Sequence, residues 1–154
     1  MGNTFESRDA SVEFVARERL VFISSIDSPY GEKVRAIDLS SENEVFINWG
    51  SSQRFWHEYW FGSDFRPAVR IEATQLIAPI FQAGGPKFWA LVSQSAAQEF
   101  IASGKFKISD LDHPLPPRDI CLVSSRPIKT PYHDYILEDL RATVSDRGGF
   151  ILLD

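Results

Sequence analysis

The residues of this chain best suited to chemistry are hydroxyl side chains that follow apolar strands. Ser51 and Ser52 come just after the strand-like run that leads to Trp49, and Thr74 follows the next such run. Each stands where a helix is expected to begin, beside backbone N–H groups that the helix leaves unpaired. Hydroxyls and free N–H groups at the edge of a small α/β sheet bind small ligands, especially anions. No catalytic set accompanies them.

A Gly84-Gly85 pair leads into the next strand, but the rest of a dinucleotide fingerprint or phosphate loop is missing. The histidines, His57, His113 and His133, show no metal-ligand spacing, so we predict no metal and no other cofactor. The sequence also has no G-x-S-x-G elbow of a serine hydrolase. These absences predict that the chain is not an enzyme.

Composition excludes several other classes. Apolar residues make up 44% of the 154 residues and aromatic residues 13%, which is typical of a globular fold. The formal net charge is −5 and the basic residues are scattered, so we expect no DNA binding by this chain. The single cysteine, Cys121, excludes an internal disulfide, and its apolar strand predicts a buried, inert thiol. No apolar run is long enough to cross a membrane, and we expect a cytoplasmic protein with no membrane partner.

Strands and helices alternate along the chain. The predicted strands are Arg19–Ile26, Glu44–Asn48, Pro67–Ala73, Phe88–Val92, Lys105–Ile108 and Asp119–Ser124. The predicted helices begin with a cap at Ser51 or Ser52, with a cap at Thr74, with a capping box of Ser95 and Gln98, and at Pro131. In the last helix the four-residue spacing of Tyr132, Ile136 and Leu140 predicts a buried stripe. The alternation predicts an α/β fold with a largely parallel or mixed sheet.

The order of these segments resembles the effector-binding domain of LysR-type transcriptional regulators. Five segments carry the resemblance, which covers about Val12 to Val144: E-R-L-V-F-I-S-S-I-D-S-P-Y, A-I-D-L-S-S-E-N-E-V-F-I-N-W-G-S-S-Q-R, R-I-E-A-T-Q-L-I-A-P-I-F-Q-A-G-G-P-K-F-W-A-L-V-S-Q-S-A, S-G-K-F-K-I-S-D-L and R-D-I-C-L-V-S-S-R-P-I-K-T-P-Y-H-D-Y-I-L-E-D-L-R. It implies a periplasmic-binding-protein-like type II fold with one complete α/β lobe and a partial second lobe. The complete lobe is expected over residues 22–107, and the partial one over 1–21 and 108–154. In that family a helix-turn-helix precedes these segments, so the DNA-binding domain is expected to be absent here.

By this resemblance two strands cross between the lobes, namely Arg19–Ser25 and Lys105–Leu111. A small-molecule effector is expected to bind in the cleft between the two lobes. The candidate ligand-binding residues are then Ser24, Ser25, Trp49, Ser51, Ser52, Thr74, Gly84 and Gly85. A carboxylate or another small anion fits these hydroxyls and helix starts. The apolar faces of the last strand and helix predict a homo-oligomer. Two alternatives stay open: a fragment of a solute-binding transport protein, and a structural dimerisation module with a vestigial cleft.

Overall fold

The computed structural model describes residues 5–6, 10–125, 131–147 and 150–152. These residues contain ten strands and four α-helices, joined by loops and short 3₁₀ turns. The strands are β1 (Phe5–Glu6), β2 (Ala10–Glu18), β3 (Leu20–Ser25), β4 (Lys33–Val34), β5 (Val45–Ile47), β6 (Val69–Ile71), β7 (Trp89–Ser93), β8 (Phe106–Leu111), β9 (Arg118–Ser125) and β10 (Phe150–Leu152). The helices are α1 (Ser51–Phe61), α2 (Ile77–Gly84), α3 (Gln94–Ala102) and α4 (Pro131–Arg147). The chain divides into a larger unit, Arg19–Pro116, and a smaller unit formed by the described parts of Met1–Glu18 and Pro117–Asp154.

The larger unit is built around β3, which pairs antiparallel with β7 on one side and with β8 on the other. Both faces of β3 are covered, because side chains alternate across a strand. Ile23 belongs to a core cluster that includes Ile77 and Phe81 of α2. Its neighbour Phe22 belongs to a second cluster that includes Trp56 of α1. The apolar run predicted as a buried strand is confirmed by this double burial.

A β–α–β unit stands beside this sheet. β5 pairs parallel with β6, and α1 makes the crossover between them. An isolated parallel bridge joins Glu44, just before β5, to Trp89 at the start of β7. The sheets thus contain both parallel and antiparallel pairs, as a mixed sheet was predicted to do, and all three helices of the larger unit follow strands.

The predicted helix α1 is present and begins at Ser51, but its predicted cap is wrong. Ser51 is the first helical residue, and the N-cap is Gly50, whose φ of 115° lies in the region that favours glycine. No side chain caps the helix. The Asn48 carboxamide oxygen instead accepts a hydrogen bond from the Gly50 N–H at 3.0 Å, which folds the turn before the helix. Ser51 and Ser52 therefore do not cap α1.

Two other predicted caps are also displaced. Thr74 starts a 3₁₀ turn that precedes α2, and no side chain caps either element. The cap of α3 is Ser93, whose Oγ accepts from the Ala96 N–H at 3.3 Å, and not Ser95. Ser93 is the last residue of β7 and still has an extended backbone, which is the conformation an N-cap needs.

The smaller unit has an antiparallel sheet in which β2 is central. β9 pairs with one edge of β2 along most of its length, with a bulge between Phe14 and Ala16. β1 pairs with β2 near Val12, and β10 pairs with it at residues 16–18. No strand was predicted over β2, although S-V-E-F alternates in the manner of a half-buried strand.

Two predictions for the smaller unit are wrong. The α4 stripe is exposed, with 71% of Tyr132, 48% of Ile136 and 37% of Leu140 accessible to solvent. The half-buried residues of α4 include His133 and Leu137, each one position after a predicted residue. The predicted four-residue spacing was therefore right, but the predicted side of the helix was wrong.

Cys121 is exposed rather than buried. Along β9 the half-buried positions are Ile120 and Leu122, which places Cys121 and Val123 on the opposite, solvent-facing side. The apolar run around Cys121 therefore does not indicate burial of both faces of this strand.

Candidate functional site

A pocket of about 430 Å³ lies in the larger unit where β5 ends and α1 begins. Small-molecule sites have volumes of roughly 300–1,000 Å³, so this pocket has the size for a small ligand. The polar and charged side chains of its lining are Asn48, Ser51, Arg54, His57, Glu58 and Arg70. The lining thus contains two guanidinium groups, those of Arg54 and Arg70, and one carboxylate, that of Glu58.

The two arginines reach the pocket from different elements. Arg54 is on α1, three residues after Ser51, which puts both on neighbouring positions of the helix surface. Arg70 is on β6, and its guanidinium lies 5.0 Å from the ring centroid of Phe46 and 5.3 Å from that of Phe65. Such cation–π contacts orient the guanidinium against the pocket wall. In the described part of the chain neither Arg54 nor Arg70 forms an ion pair with a carboxylate.

The start of α1 adds backbone donors to the same pocket. The helix has no side-chain cap, and Ser51, its first residue, is exposed and lines the pocket. N–H groups in the first turn of a helix have no intrahelical acceptor, and the helix dipole favours negative charge there. The pocket therefore combines a helix N-terminus, a hydroxyl and two guanidiniums, all of which favour an anion.

A buried chain of hydrogen bonds lies beneath this surface. The Gln53 carboxamide accepts from the Trp49 N–H at 2.7 Å and donates to the Ile47 carbonyl at 2.8 Å. Gln53 thereby ties the end of β5 to the first turn of α1. The backbone carbonyl of Gln53 accepts from Nδ1–H of His57 at 2.7 Å, and Nε2 of His57 lies 2.8 Å from both carboxylate oxygens of Glu44.

These contacts restrict where the protons of the pair are. A carbonyl only accepts, so Nδ1 of His57 carries a hydrogen. A second proton lies between Nε2 and the Glu44 carboxyl group, since two lone pairs would otherwise face each other at 2.8 Å. Burial raises the pKa of Glu44, while the hydrogen bond from His57 and the charges of His57 and Arg70 oppose that rise. Glu44 has 0% and His57 3% of the side chain exposed, so bulk water does not screen this pair.

The structure distributes the predicted site residues over several environments. Ser51 lines the pocket, and Ser52 follows it on α1 as a half-buried residue outside the lining. Trp49 is half-buried, and its indole N–H donates to the Leu91 carbonyl at 2.8 Å. Thr74 is half-buried in its 3₁₀ turn.

The remaining predicted residues lie on β3 and at the end of α2. Ser24 is buried and accepts a hydrogen bond from the Ser28 hydroxyl at 2.8 Å, while Ser25 is half-buried at the end of β3. Gly84 is the last residue of α2, and Gly85, with φ of 93°, ends the helix as predicted. None of these four residues is part of the pocket lining.

Sequence reasoning missed the charged residues of the pocket. Arg54 could have been found, because its three-residue spacing from Ser51 on a predicted helix places it beside the same helix start. Arg70 could not be found locally, since it reaches the pocket through the parallel pairing of Phe46 with Arg70. In the described ranges no three His, Cys, Asp or Glu residues come together to hold a metal ion. Nor is any helix in those ranges long and apolar enough to span a bilayer.

The chain matches no protein-family model, and no curated protein sequence matches it significantly. Solved structures do match. The regulatory domain of MetR, a LysR family regulator from N. meningitidis, aligns with a TM-score of 0.69 and 12% identity over 97% of this chain and 71% of its own. The reduced OxyR regulatory domain from Pseudomonas aeruginosa aligns with a TM-score of 0.64 and 15% identity over 92% and 70%. The CcmR regulatory domain from Synechocystis, in complex with 2-PG, aligns with a TM-score of 0.63 and 16% identity over 93% and 71%.

These structures are regulatory domains or parts of longer regulators, and this chain spans 50% of a full-length OxyR variant. At such low identities the likeness concerns the fold. It confirms the fold class predicted from the sequence. The chain has the α/β, periplasmic-binding-protein-like type II fold of LysR-family regulatory domains.

Proposed function

We propose that this chain is the ligand-sensing part of a cytoplasmic transcription regulator, and that its larger unit binds a small anion in the pocket at the start of α1. The observation that carries the proposal is the pair of guanidiniums, Arg54 and Arg70, beside an uncapped helix start. Neither forms an ion pair with a carboxylate in the described part of the chain, although the charge of Arg70 acts on buried Glu44, so an anion in the pocket would supply a direct partner. The CcmR regulatory domain, which shares this fold, was solved with 2-PG.

Such a domain acts by shifting a conformational equilibrium. An effector alters the regulator only if it binds two conformations with different affinity, and the shift cannot exceed that difference in binding free energy. In the proposed arrangement the anion is the signal. DNA is bound elsewhere in the full-length regulator, in keeping with the net charge of −5 on this chain.

The test is a titration of the ¹⁵N-labelled 154-residue chain with sulfate and, separately, with acetate, followed by backbone amide chemical shifts. We expect the largest shifts at Ser51 and its neighbours in the first turn of α1. Arg54→Gln and Arg70→Gln should each weaken binding by roughly tenfold or more, because a hydrogen bond to a charged group contributes about 1.5–3 kcal/mol. Arg66→Gln is the matched control, since Arg66 is exposed and outside the lining.

Two results would refute the proposed site. One is sulfate binding that is equally weakened by Arg54→Gln and by Arg66→Gln, which would indicate a general charge effect. The other is a set of shifts centred on other residues. The cleft site implied by the family resemblance stays a prediction, and shifts confined to Ser24, Ser25 and Thr74 would favour it over the pocket. Shifts of the Gly84 and Gly85 amides in the same spectra would likewise favour the cleft site, because neither residue lines the pocket.

We also propose that the chain forms a homo-oligomer through the exposed apolar stripe of α4. Tyr132, Ile136 and Leu140 are exposed apolar residues on successive turns of α4. Exposed apolar surfaces of this kind mark association sites. Sedimentation at micromolar concentration should show a species larger than the monomer, and Ile136→Asp should shift it to the monomer. The exposed Glu138 on the same helix provides the control, Glu138→Gln, which should leave the mass unchanged.

A further inference from the structure

The Glu44–His57 pair has no role in anion binding as proposed so far, yet one of its members is part of the pocket. His57 belongs to the lining, whereas Glu44 does not. The carboxylate is therefore separated from the pocket by the imidazole ring. This order matters because an imidazolium ring in the lining would lie nearer to a bound anion than the carboxylate behind it does.

Glu44 is also fixed in place by the sheet. Its backbone forms the isolated bridge to Trp89, and its carbonyl accepts from the Ala68 N–H at 2.9 Å. The carboxylate is fully buried and holds Nε2 of His57 with both oxygens at 2.8 Å. Through His57 and the Gln53 backbone carbonyl, this anchor reaches the residue whose side chain ties β5 to α1.

The two equal Nε2–oxygen distances fit an N–H directed between two acceptor oxygens. One N–H that points between two acceptor oxygens is equally far from both, whereas a protonated carboxyl would donate from one oxygen only. We propose that Glu44 is a positioning residue which, without touching the ligand, keeps His57 as an imidazolium in the pocket wall and so raises the affinity of the pocket for anions. The inference rests on the proposed function, because it concerns the same pocket.

Other charges act on the ring as well. Burial raises the pKa of Glu44, and the hydrogen bond from His57 and the charges of His57 and Arg70 on β6 oppose that rise by favouring the ionised carboxylate. Arg54 and Glu58 on α1 line the same pocket, and Phe46 and Phe65 supply only aromatic faces. Among these groups Glu44 alone contacts Nε2 directly, so it is the residue whose change should alter the protonation of His57.

The first experiment measures the ring itself, in the full chain without added ligand. At pH 7.5 the ¹⁵N chemical shifts of His57 should show hydrogen on both ring nitrogens. In Glu44→Gln the carboxamide can donate to Nε2, so the ring should be neutral with its hydrogen on Nδ1. The control is Glu42→Gln, which removes the same charge from an exposed position two residues away and should leave the ring unchanged.

The second experiment measures sulfate affinity, because sulfate keeps its charge across this pH range. Glu44→Gln removes the positive charge of the ring together with the negative charge behind it, so a bound anion loses a nearer attraction and a more distant repulsion. The difference should weaken binding by up to about tenfold at the dielectric of a protein surface. We expect this loss in Glu44→Gln and no change in Glu42→Gln. The amide spectrum shows in the same samples whether the variant is folded.

The outcomes separate the two proposals. An imidazolium in the wild-type chain with a loss of sulfate affinity in Glu44→Gln supports the inference. A neutral His57 ring in the wild-type chain overturns it, even if the variant does not fold. Unchanged sulfate affinity in a folded Glu44→Gln also overturns it and leaves the proposed function intact. Failure of the wild-type chain to bind sulfate or acetate in the pocket refutes the proposed function instead, while the ring measurement still stands.

Discussion

Replacing Gly84 by alanine should destabilise the larger unit, although alanine is the better helix former. A Cβ at Gly84 would lie 2.0, 2.4 and 2.7 Å from three ring carbons of Phe88, far inside van der Waals contact. Half-buried Phe88 packs edge-on against buried Phe81, with centroids 6.2 Å apart, so moving its ring away weakens this contact. Overpacking of this kind costs about 1–3 kcal/mol. Alanine recovers about 0.5–1 kcal/mol through helix propensity. The expected net loss in the free energy of unfolding is therefore about 1 kcal/mol, within a range of about 0–2.5 kcal/mol.

Urea unfolding followed by tryptophan fluorescence measures this loss in the correct unit, because all four tryptophans lie between residues 49 and 89. The control is the same substitution in a Phe88→Ala background, where the clash is absent and Gly84→Ala should be neutral or slightly stabilising. The resulting coupling free energy should be about 1–3 kcal/mol. Gly85→Ala meets open space but has a left-handed φ of 93°, so its cost should be equal in both backgrounds. Equal stabilisation by Gly84→Ala in both backgrounds would refute the close approach to Phe88.

Three further predictions use other features of the described chain. Ser93→Ala should cost about 1 kcal/mol of unfolding free energy, because Ser93 caps α3; an unchanged stability in urea unfolding would contradict this assignment. Cys121 should react slowly with iodoacetamide despite its exposure, because slight burial and the Asp119 carboxylate raise its pKa; Asp119→Asn should accelerate the reaction, as measured by mass spectrometry. The hydrogen bond from a backbone N–H lowers the pKa of Asp112, so its contribution to stability is present above the ordinary carboxyl range and is lost as the pH falls below about 4. The stability difference between wild type and Asp112→Ala should therefore shrink from pH 6 to pH 3, and a constant difference would exclude this linkage.

Local pattern was sufficient for the central elements of the larger unit. The run around β3 is apolar and β-branched on both faces, and the described strand lies within its predicted bounds. α1 also begins at the predicted helix start, because Gly50 precedes it and the small polar residues Ser51 and Ser52 open it; Gly62 then ends it. These signals act over a few residues, so they can be read from the sequence without the tertiary structure.

Phase and caps depend on partners elsewhere in the chain. The side of α4 that packs on β2 and β10 is set by those strands, so a correct four-residue spacing gave the wrong stripe. Ser93 and Ser95 both have the chemistry of a cap. The choice between them depends on where β7 stops, and β7 continues to Ser93 because Ser93 pairs with Leu20 of β3.

The candidate site was predictable only in part for the same reason. Ser51 follows an apolar strand and was found, whereas Glu44 and His57 are polar residues that hydropathy places on the surface. Their burial is possible because the Glu44 carboxylate hydrogen-bonds Nε2 of His57, and the backbone carbonyl of Gln53 accepts a hydrogen bond from Nδ1–H. The two hydrogen-bonded residues are 13 positions apart in the chain, and no periodicity of the sequence predicts such a pair.

A shared fold and a shared ligand site make different demands on a sequence. This chain shares its fold with the MetR regulatory domain at 12% identity, which is possible because a fold requires apolar patterning, volume and turn chemistry rather than particular residues. A ligand site requires particular side chains at particular distances. Under the proposed function, the chemistry of an effector is therefore inferred from the pocket residues Ser51, Arg54, His57 and Arg70, and not from the ligands of other proteins with the same fold.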